Sequence, residues 1–173
     1  MNAEIIGVGS ELLLGQISNT DAQYLSRQLS SLGIDVYWHT VVGDNRDRLL
    51  RTLRIASDRS DIIITTGGLG PTMDDLSKET VATFLGLDLV LHQPSLERIR
   101  NHFSATGRTM TKNNVKQAMF PEGAIILQND VGTAPGAVME DNGKSYIVLP
   151  GSPSELQHMF DHYAFPYLKR KSG

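Results

Sequence analysis

Short apolar runs alternate with amphipathic stretches through the first half of the chain. Three runs rich in β-branched residues are predicted as buried strands, at residues 3–8, 34–42 and 61–66. After each run, leucine, isoleucine and alanine recur at helical spacing, within residues 22–32, 49–56 and 75–85. Strands that are apolar along their whole length have both faces buried, and their alternation with helices is typical of a parallel sheet. The pattern therefore predicts an α/β fold with helices on both faces of the sheet.

The second half is less regular, and it predicts a short hairpin and a final helix. Two apolar runs flank Asp141-Asn142-Gly143, and Asn-Gly between such runs is a strong hairpin signal. Ser152-Pro153-Ser154-Glu155 has the spacing of a capping box and predicts the start of the last helix. The remaining predicted elements are a strand at 87–91, helices at 94–106 and 111–119, and a strand at 124–127.

Length and composition exclude several classes of protein. The 173 residues suit one domain, residues 1–173, and a hydrophobic fraction of 40% is enough for a sizeable core. A net charge of -3 argues against a dedicated nucleic-acid binder, and the absence of cysteine excludes disulfides and thiolate metal sites. No apolar run approaches the ~20 residues of a membrane span. Because Met1 leads straight into a predicted strand without a signal peptide, we expect a cytoplasmic protein.

Polar clusters follow each of the first three predicted strands. They are Gly9-Ser10-Glu11, Gly43-Asp44-Asn45 and the segment 67–75. The carboxyl ends of parallel strands lie along one edge of a sheet, and ligands of such folds bind beyond that edge. We therefore expect these clusters to converge on one site.

The segment Gly67-Gly68-Leu69-Gly70-Pro71-Thr72-Met73-Asp74-Asp75 carries the sharpest chemical signal. Glycine amides at a strand end can cradle a phosphate, while adjacent carboxylates would repel it. A divalent cation held by oxygen ligands, such as Mg²⁺, resolves that conflict. The alternative is a tight turn in which Asp caps the next helix. The local sequence leaves both interpretations open.

The other candidates also have two interpretations each. Asp75 suits a metal ligand or a helix cap, Asp44 a second ligand or a turn residue, and Glu11 a third carboxylate or a salt-bridge partner. Neutral hydrogen-bonding residues suited to ribose or phosphate are Ser10, Asn19 and Thr20, although Asn19 also suits an N-cap. The polar segment with Lys112, Asn113, Asn114 and Lys116 either neutralises a phosphate or forms a solvated helix face. The loop 132–136 either closes over a ligand or simply turns, and the Gly151-Ser152 amides suit an anion.

Four motifs in order resemble the N-terminal domain of the CinA (competence/damage-inducible) family. The first is Gly9-Ser10-Glu11-Leu12-Leu13-Leu14-Gly15-Gln16-Ile17 with Asn19-Thr20, and the second is Gly67-Gly68-Leu69-Gly70-Pro71-Thr72 with Asp74-Asp75. The others are Val131-Gly132-Thr133-Ala134-Pro135-Gly136 and Leu149-Pro150-Gly151-Ser152-Pro153-Ser154-Glu155. The resemblance covers essentially the whole chain. Asp21 and Ser77 are mild departures, because the family pattern usually has Asn and Thr there.

The resemblance implies a molybdopterin-binding-type fold, shared with MoaB and MogA. That fold is a three-layer α/β/α sandwich with a mostly parallel sheet and a small antiparallel hairpin. It also implies hydrolysis of ADP-ribose at its pyrophosphate with Mg²⁺, Mn²⁺ or Co²⁺, in which Asp44, Asp74 and Asp75 hold the metal and carry the catalysis. Longer CinA proteins carry further domains, and we expect no nicotinamide-mononucleotide amidase activity from this chain.

The motifs and the resemblance together give the expected ligand contacts. They are Gly9, Ser10, Glu11, Asn19, Thr20, Gly67, Gly68, Leu69, Gly70, Thr72, Lys112, Asn113, Gly132, Thr133, Gly151 and Ser152. The first hypothesis is an ADP-ribose pyrophosphatase, the second a pterin-binding protein of molybdenum-cofactor synthesis, and the third a non-catalytic nucleotide-sensing or interaction module. All three take a small nucleotide or pterin ligand, with no nucleic acid and no membrane. The resemblance further implies a homo-oligomer, either dimer or trimer.

Overall fold

A six-stranded sheet forms the centre of the protein, whose computed structural model describes residues 1–173. Its strands are β1 (Asn2–Val8), β2 (Asp35–Val42), β3 (Ile62–Thr66), β6 (Ile125–Leu127), β7 (Gly136–Asp141) and β8 (Lys144–Leu149). They are arranged in the order β2-β1-β3-β8-β7-β6. The first four in this order are parallel to one another, β7 is antiparallel to β8, and the edge strand β6 is antiparallel to β7. The predicted mostly parallel sheet is confirmed.

The hairpin between β7 and β8 forms at the predicted place. Asp141 pairs with Lys144, so only Asn142 and Gly143 make the turn. Both residues have positive φ, 49° and 79° respectively, which the tight two-residue turn requires and which Asn and Gly adopt most readily.

Helices cover both faces of the sheet and complete a three-layer α/β/α sandwich. The helices are α1 (Ser10–Leu13), α2 (Thr20–Ser31), α3 (Arg46–Arg59), α4 (Ser77–Leu85), α5 (Gln93–Thr106), α6 (Pro153–Met159) and α7 (Phe165–Ser172). One face is covered by α2, α6 and α7 and the other by α3 and α4, while α5 packs on the segment 112–118. A π-helical turn, Phe160–Ala164, joins the last two. None of the helices combines the length and apolar character needed to cross a membrane.

The central strand β3 is buried along its whole length because it contributes to two separate cores. Ile62 and Ile64 of β3 pack with α2 and the C-terminal helices, while Ile63 between them packs with α3 and α4. All three isoleucines are at most 1% exposed. Alternate side chains of a strand point to opposite faces, so a sheet covered on both sides needs apolar residues at every position.

A second, two-stranded sheet differs from the sequence-based expectation. The predicted strand at 87–91 is β4 (Leu89–Leu91), and it pairs with β5 (Met119–Pro121), which the sequence analysis did not predict. The predicted helix at 111–119 is a 3₁₀ helix, Lys112–Ala118. The side chain of Asn114 accepts hydrogen bonds from the N–H and hydroxyl of Thr111, both 2.9 Å, and this capping box fixes the start of the helix.

Candidate functional site

A cleft of about 810 Å³ lies at the carboxyl ends of β1, β3 and β8. The loops after these strands line it, together with the start of α2 and of α6. This is the edge at which parallel-sheet proteins bind ligands. The expected ligand contacts that the structure brings together here are Glu11, Asn19, Thr20, Gly67, Gly68, Leu69, Gly70, Thr72, Thr133, Gly151 and Ser152, joined by Asp44, Asp74 and Asp75.

Main-chain amides form one wall of the cleft. Gly67 and Gly68 have φ of 91° and 72°, which turns the chain sharply at the end of β3. The N–H groups of Gly68, Leu69 and Gly70 donate no hydrogen bond within the protein. Successive free N–H groups in a glycine turn are a binding site for anions.

The glycine turn is fixed from below by Ser77, at the start of α4. The hydroxyl of Ser77 donates to the carbonyl of Gly67 over 2.7 Å, and its N–H donates to the carbonyl of Gly68 over 3.2 Å. A side chain at Gly68 would overlap with the Ser77 hydroxyl. Ser77, fully buried, therefore holds the turn that presents the free amides.

Gly151 brings the loop after β8 against the glycine turn. A Cβ at Gly151 would lie only 3.2 Å from Cα of Gly67, tighter than nearly all real Cβ contacts. A glycine at 151 thus lets the two loops meet, so that both border the same cleft.

Asp75 braces the loop that carries it. One carboxylate oxygen, Oδ2, accepts hydrogen bonds from the N–H and the hydroxyl of Thr72, 2.9 and 2.6 Å long. Asp74, directly before it, lines the cleft and is exposed. Asp75 therefore closes the turn that begins at Thr72 and does not cap α4, whose N-cap Leu76 has no side-chain cap hydrogen bond. Asp74 has no hydrogen-bond partner in the protein.

Asp44 is held by the loop after β1. Its Oδ2 accepts from the N–H of Ser10 over 3.2 Å, and the N–H of Asp44 donates to the Ser10 hydroxyl over 3.3 Å. This reciprocal pair joins the ends of β1 and β2. It also shows why Ser10 does not line the cleft although it was expected to contact the ligand: its polar atoms are turned to Asp44.

The carboxylates do not form a ready metal site. No group of three or more His, Asp or Glu side chains is arranged to hold one ion. The metal set predicted from Asp44, Asp74 and Asp75 is thus not preassembled; Asp44 and Asp75 each accept a hydrogen bond from a main-chain N–H group. The identity of the metal stays a prediction.

Asp21, the second residue of α2, is a cleft residue that the sequence analysis did not select. Only 9% of Asp21 is exposed, and its Oδ1 is buried without a hydrogen-bond partner. Burial raises the pKa of its carboxyl group to about 6. The only sequence signal was its departure from the family pattern.

Glu155 corrects another prediction. Ser152 is the N-cap of α6 and Pro153 its first residue, but Glu155 does not complete a capping box. Its carboxylate instead accepts a hydrogen bond of 2.8 Å from the amide of Asn129. Asn129 in turn donates to the carbonyl of Ala134, so Glu155 anchors the loop 129–135 beside the cleft.

Several expected contacts lie elsewhere. Lys112 and Asn113 are exposed and outside the cleft, because the 3₁₀ helix turns Gln117 inward instead; Gln117 lines the cleft and donates to the Thr133 hydroxyl over 3.4 Å. Gly132 borders a separate cavity. Gly9, like Ser10, is outside the cleft lining.

Comparison with known proteins supports this picture. Residues 4–170 match the family model described as a probable molybdopterin binding domain. The chain is 57% identical over 173 residues to a competence-damage inducible protein of Acetivibrio thermocellus, covering 100% of the chain and 42% of the relative. It is 55% identical over 170 residues to a CinA-like protein of Kosmotoga olearia, covering 98% and 41%. The chain thus spans less than half the length of these curated relatives.

Solved structures give the same family and fold. A CinA protein from Thermoplasma acidophilum superposes with a TM-score of 0.87 at 34% identity, covering 97% of both chains. MoaB from Thermus thermophilus superposes with a TM-score of 0.62 at 19% identity, covering 98% of this chain and 96% of that one, and so shares the fold. The chain belongs to the CinA-like family of molybdopterin-binding-type domains.

Proposed function

We propose that the cleft binds a small ligand in which a ring system carries a phosphate or diphosphate, of the molybdopterin class that the family description names. The observation that carries this proposal is the row of free N–H groups at Gly68, Leu69 and Gly70. An anionic oxygen is the acceptor that such a row binds best, since each N–H adds a charge-assisted hydrogen bond.

The size of the cleft supports the same ligand class. Its volume of about 810 Å³ is within the range of about 300–1,000 Å³ typical of small-molecule sites. Beside the glycine turn, the lining includes the polar residues Asn19 and Thr20 at the start of α2, which suit a ring or a sugar attached to the phosphate.

Calorimetric titration with molybdopterin and with ADP-ribose tests the proposal. The variant Gly68→Ala places a side chain against Ser77 and strains a residue with φ of 72°. It should reduce affinity at least tenfold. Gly33→Ala is the matched control, because Gly33 also has φ of 72° but lies at the end of α2, with nothing within 4 Å of the added carbon. If neither ligand binds to the folded protein, or if Gly68→Ala behaves like the control, the proposal is wrong.

Hydrolysis of a nucleotide-sugar pyrophosphate, with ADP-ribose as substrate, is the second candidate. Asp74 favours it, because this exposed and unpaired carboxylate lies in the cleft beside the anion-binding turn. Mg²⁺ is commonly held by one or two carboxylates plus phosphate oxygens of the ligand, so a bound diphosphate would have to complete the ligand set. The metal would neutralise the diphosphate, while the amides of the turn hold its oxygens.

An assay for AMP release separates these candidates. The protein is incubated with ADP-ribose and Mg²⁺, Mn²⁺ or Co²⁺, and Asp74→Asn is compared with the wild type. Turnover that Asp74→Asn reduces at least tenfold supports hydrolysis. Binding without turnover supports the pterin-type site. If there is no turnover and Asp75→Asn also leaves binding unaffected, the result supports a non-catalytic sensing module. The cytoplasmic location and the dimer or trimer remain predictions.

A further inference from the structure

We propose that Asp21 forms a second subsite of the cleft, in which its carboxylate accepts hydrogen bonds from N–H or O–H groups on the part of the ligand beyond the phosphate. This assignment rests on the proposed function and deepens it. The phosphate would be held by the glycine turn after β3, whereas Asp21, at the start of α2, would select what the phosphate is attached to.

The carboxylate of Asp21 differs from the others of the cleft because it is buried and has no partner, whereas the unpartnered Asp74 is exposed. Asp44 accepts from Ser10, Asp75 accepts from Thr72, and Glu155 accepts from Asn129. Asp21 is more buried than any of these, yet its Oδ1 accepts nothing. A buried polar atom without a hydrogen bond costs free energy, and in native proteins such atoms call for a specific explanation.

The position of Asp21 in the helix does not explain its burial. Asn19 already caps α2, with its side chain accepting from the N–H of Ala22 over 3.3 Å. Asp47 occupies the same position in α3, two residues after its cap Asn45, and its side chain is 81% exposed. A favourable interaction with the helix dipole is available to an exposed carboxylate as well. Burial of Asp21 against a cleft therefore points to a ligand.

No charged group of the protein compensates Asp21. Its raised pKa has burial as its sole cause, without a contribution from a neighbouring charge. Other titratable groups lie on the elements packed against α2 or across the cleft. Each of them either has another partner or is exposed. They are Glu4, Glu11, Asp35, His39, Asp44, Asp74, Asp75, Glu155, His158 and Asp161. A ligand in the cleft can supply a donor to Oδ2, the Asp21 oxygen that is not closed off from the cleft.

Two parts of a ligand offer such donors. One is the pair of hydroxyl groups of a ribose, and the other is the amino and ring N–H pair of a pterin- or guanine-like ring. Each presents donors that Oδ2 of the carboxylate can accept. Ligands that lack them leave Asp21 buried and unpaired, so they are discriminated against.

Calorimetry with ADP-ribose, whose diphosphate does not titrate near pH 6, tests the assignment. The wild type should bind about tenfold or more tightly at pH 8 than at pH 5, because Asp21 must be ionised. Asp21→Asn should bind about tenfold or more weakly at pH 8 and lose this pH dependence, because hydrogen bonds to a charged group are stronger than those to a neutral one. Asp47→Asn, the matched helix-start control, should bind like the wild type at both pH values.

The two donor sources are separated by nucleotide pairs at pH 8. AMP against 2′,3′-dideoxy-AMP tests the ribose hydroxyls, and GMP against IMP tests the ring amino group. For the pair that differs in the donor bound by Asp21, the wild type should bind the two nucleotides with different affinities. Asp21→Asn should bind both nucleotides of that pair with equal affinity. If neither pair differs for the wild type, the subsite assignment is overturned.

The remaining outcomes separate this assignment from the proposed function. Complete absence of binding by the wild type overturns both. Binding that Asp21→Asn leaves unchanged overturns the assignment of Asp21 alone. A measurement without ligand gives an independent answer: Asp21→Asn should melt about 2–4 °C higher than the wild type at pH 8 and not at pH 4, because it removes a buried charge. A lower melting temperature at pH 8 would show that Asp21 is a structural helix-end group.

Discussion

The ammonium group of Lys116 donates hydrogen bonds to the main-chain oxygens of Asp75 and, over 2.6 Å, of Thr72. These oxygens lie at the two ends of the turn that carries Asp74. Lys116 comes from the 3₁₀ helix, 41 residues later in the chain. Lys116 thus ties the turn that carries Asp74 and Asp75 to a segment distant in sequence, although Lys116 does not itself line the cleft.

Lys116→Met should therefore weaken ligand binding. The turn would lose both hydrogen bonds from Lys116, and Asp75 would no longer be held in position. We therefore expect affinity for ADP-ribose to fall about tenfold. The free energy of unfolding should fall by only about 1–2 kcal/mol, because part of the Lys116 side chain is exposed. Calorimetry and urea denaturation measure the two effects. Lys112→Met, at the exposed start of the same helix, is the control, and an equal effect of both variants would contradict this role.

Ser77→Ala should loosen the glycine turn. It removes the 2.7 Å hydrogen bond to Gly67 and leaves a buried carbonyl without a partner, at a cost of about 1–3 kcal/mol of unfolding free energy. Ser31→Ala is the matched control, because Ser31 donates an equally short hydrogen bond to the carbonyl of Gln28 at an exposed site. Chemical denaturation compares the two, and a loss at Ser31 as large as that at Ser77 would refute the assignment.

Arg59→Met should be among the most destabilising substitutions at a charged position. Glu4, on β1, is fully buried and accepts two hydrogen bonds of 2.8 Å from Arg59. Removing Arg59 leaves a buried carboxylate without its counter-charge, which costs about 3–5 kcal/mol. Arg98→Met breaks the pair with Asp130, where the arginine side chain is 52% exposed, and should cost at most about 1 kcal/mol. Similar losses for both variants would contradict the prediction.

Lys78 should give stability an unusual pH dependence at alkaline pH. Burial lowers the pKa of its ammonium group to about 8 in the folded protein, against 10.5 for the ordinary group. Between these values the unfolded chain binds the extra proton, so the contribution of Lys78 to stability rises with pH. The unfolding free energy of the wild type should therefore rise relative to Lys78→Met from about pH 8 to about pH 10.5. A difference that stays constant over this range would show that Lys78 is not perturbed.

Local patterns in the sequence were sufficient for the central sheet. The isoleucine run of β3 and the Asn142-Gly143 turn each depend on neighbouring residues, and both were predicted where they occur. The pairing of β4 with β5 was missed because two three-residue strands far apart in sequence carry no periodicity of their own. The pattern predicts a helix at 111–119 but does not distinguish a 3₁₀ helix from an α-helix, because the hydrogen bonds that distinguish them do not appear in a pattern of polar and apolar residues.

The cleft was predicted in the same uneven way. The glycines and acidic residues at strand ends line the cleft as predicted, because parallel topology brings strand ends together. Gln117 and Glu155 gained their roles only through tertiary contacts with Thr133 and Asn129. The sequence also could not show that Asp44 accepts a hydrogen bond from Ser10 and Asp75 from Thr72, or that these carboxylates do not form a preassembled metal site.

The wall formed by the N–H groups of Gly68, Leu69 and Gly70 consists of peptide groups, which are the same whatever side chains surround them. Substitutions at the other lining residues can therefore change which compound fits the cleft while these N–H groups stay in place.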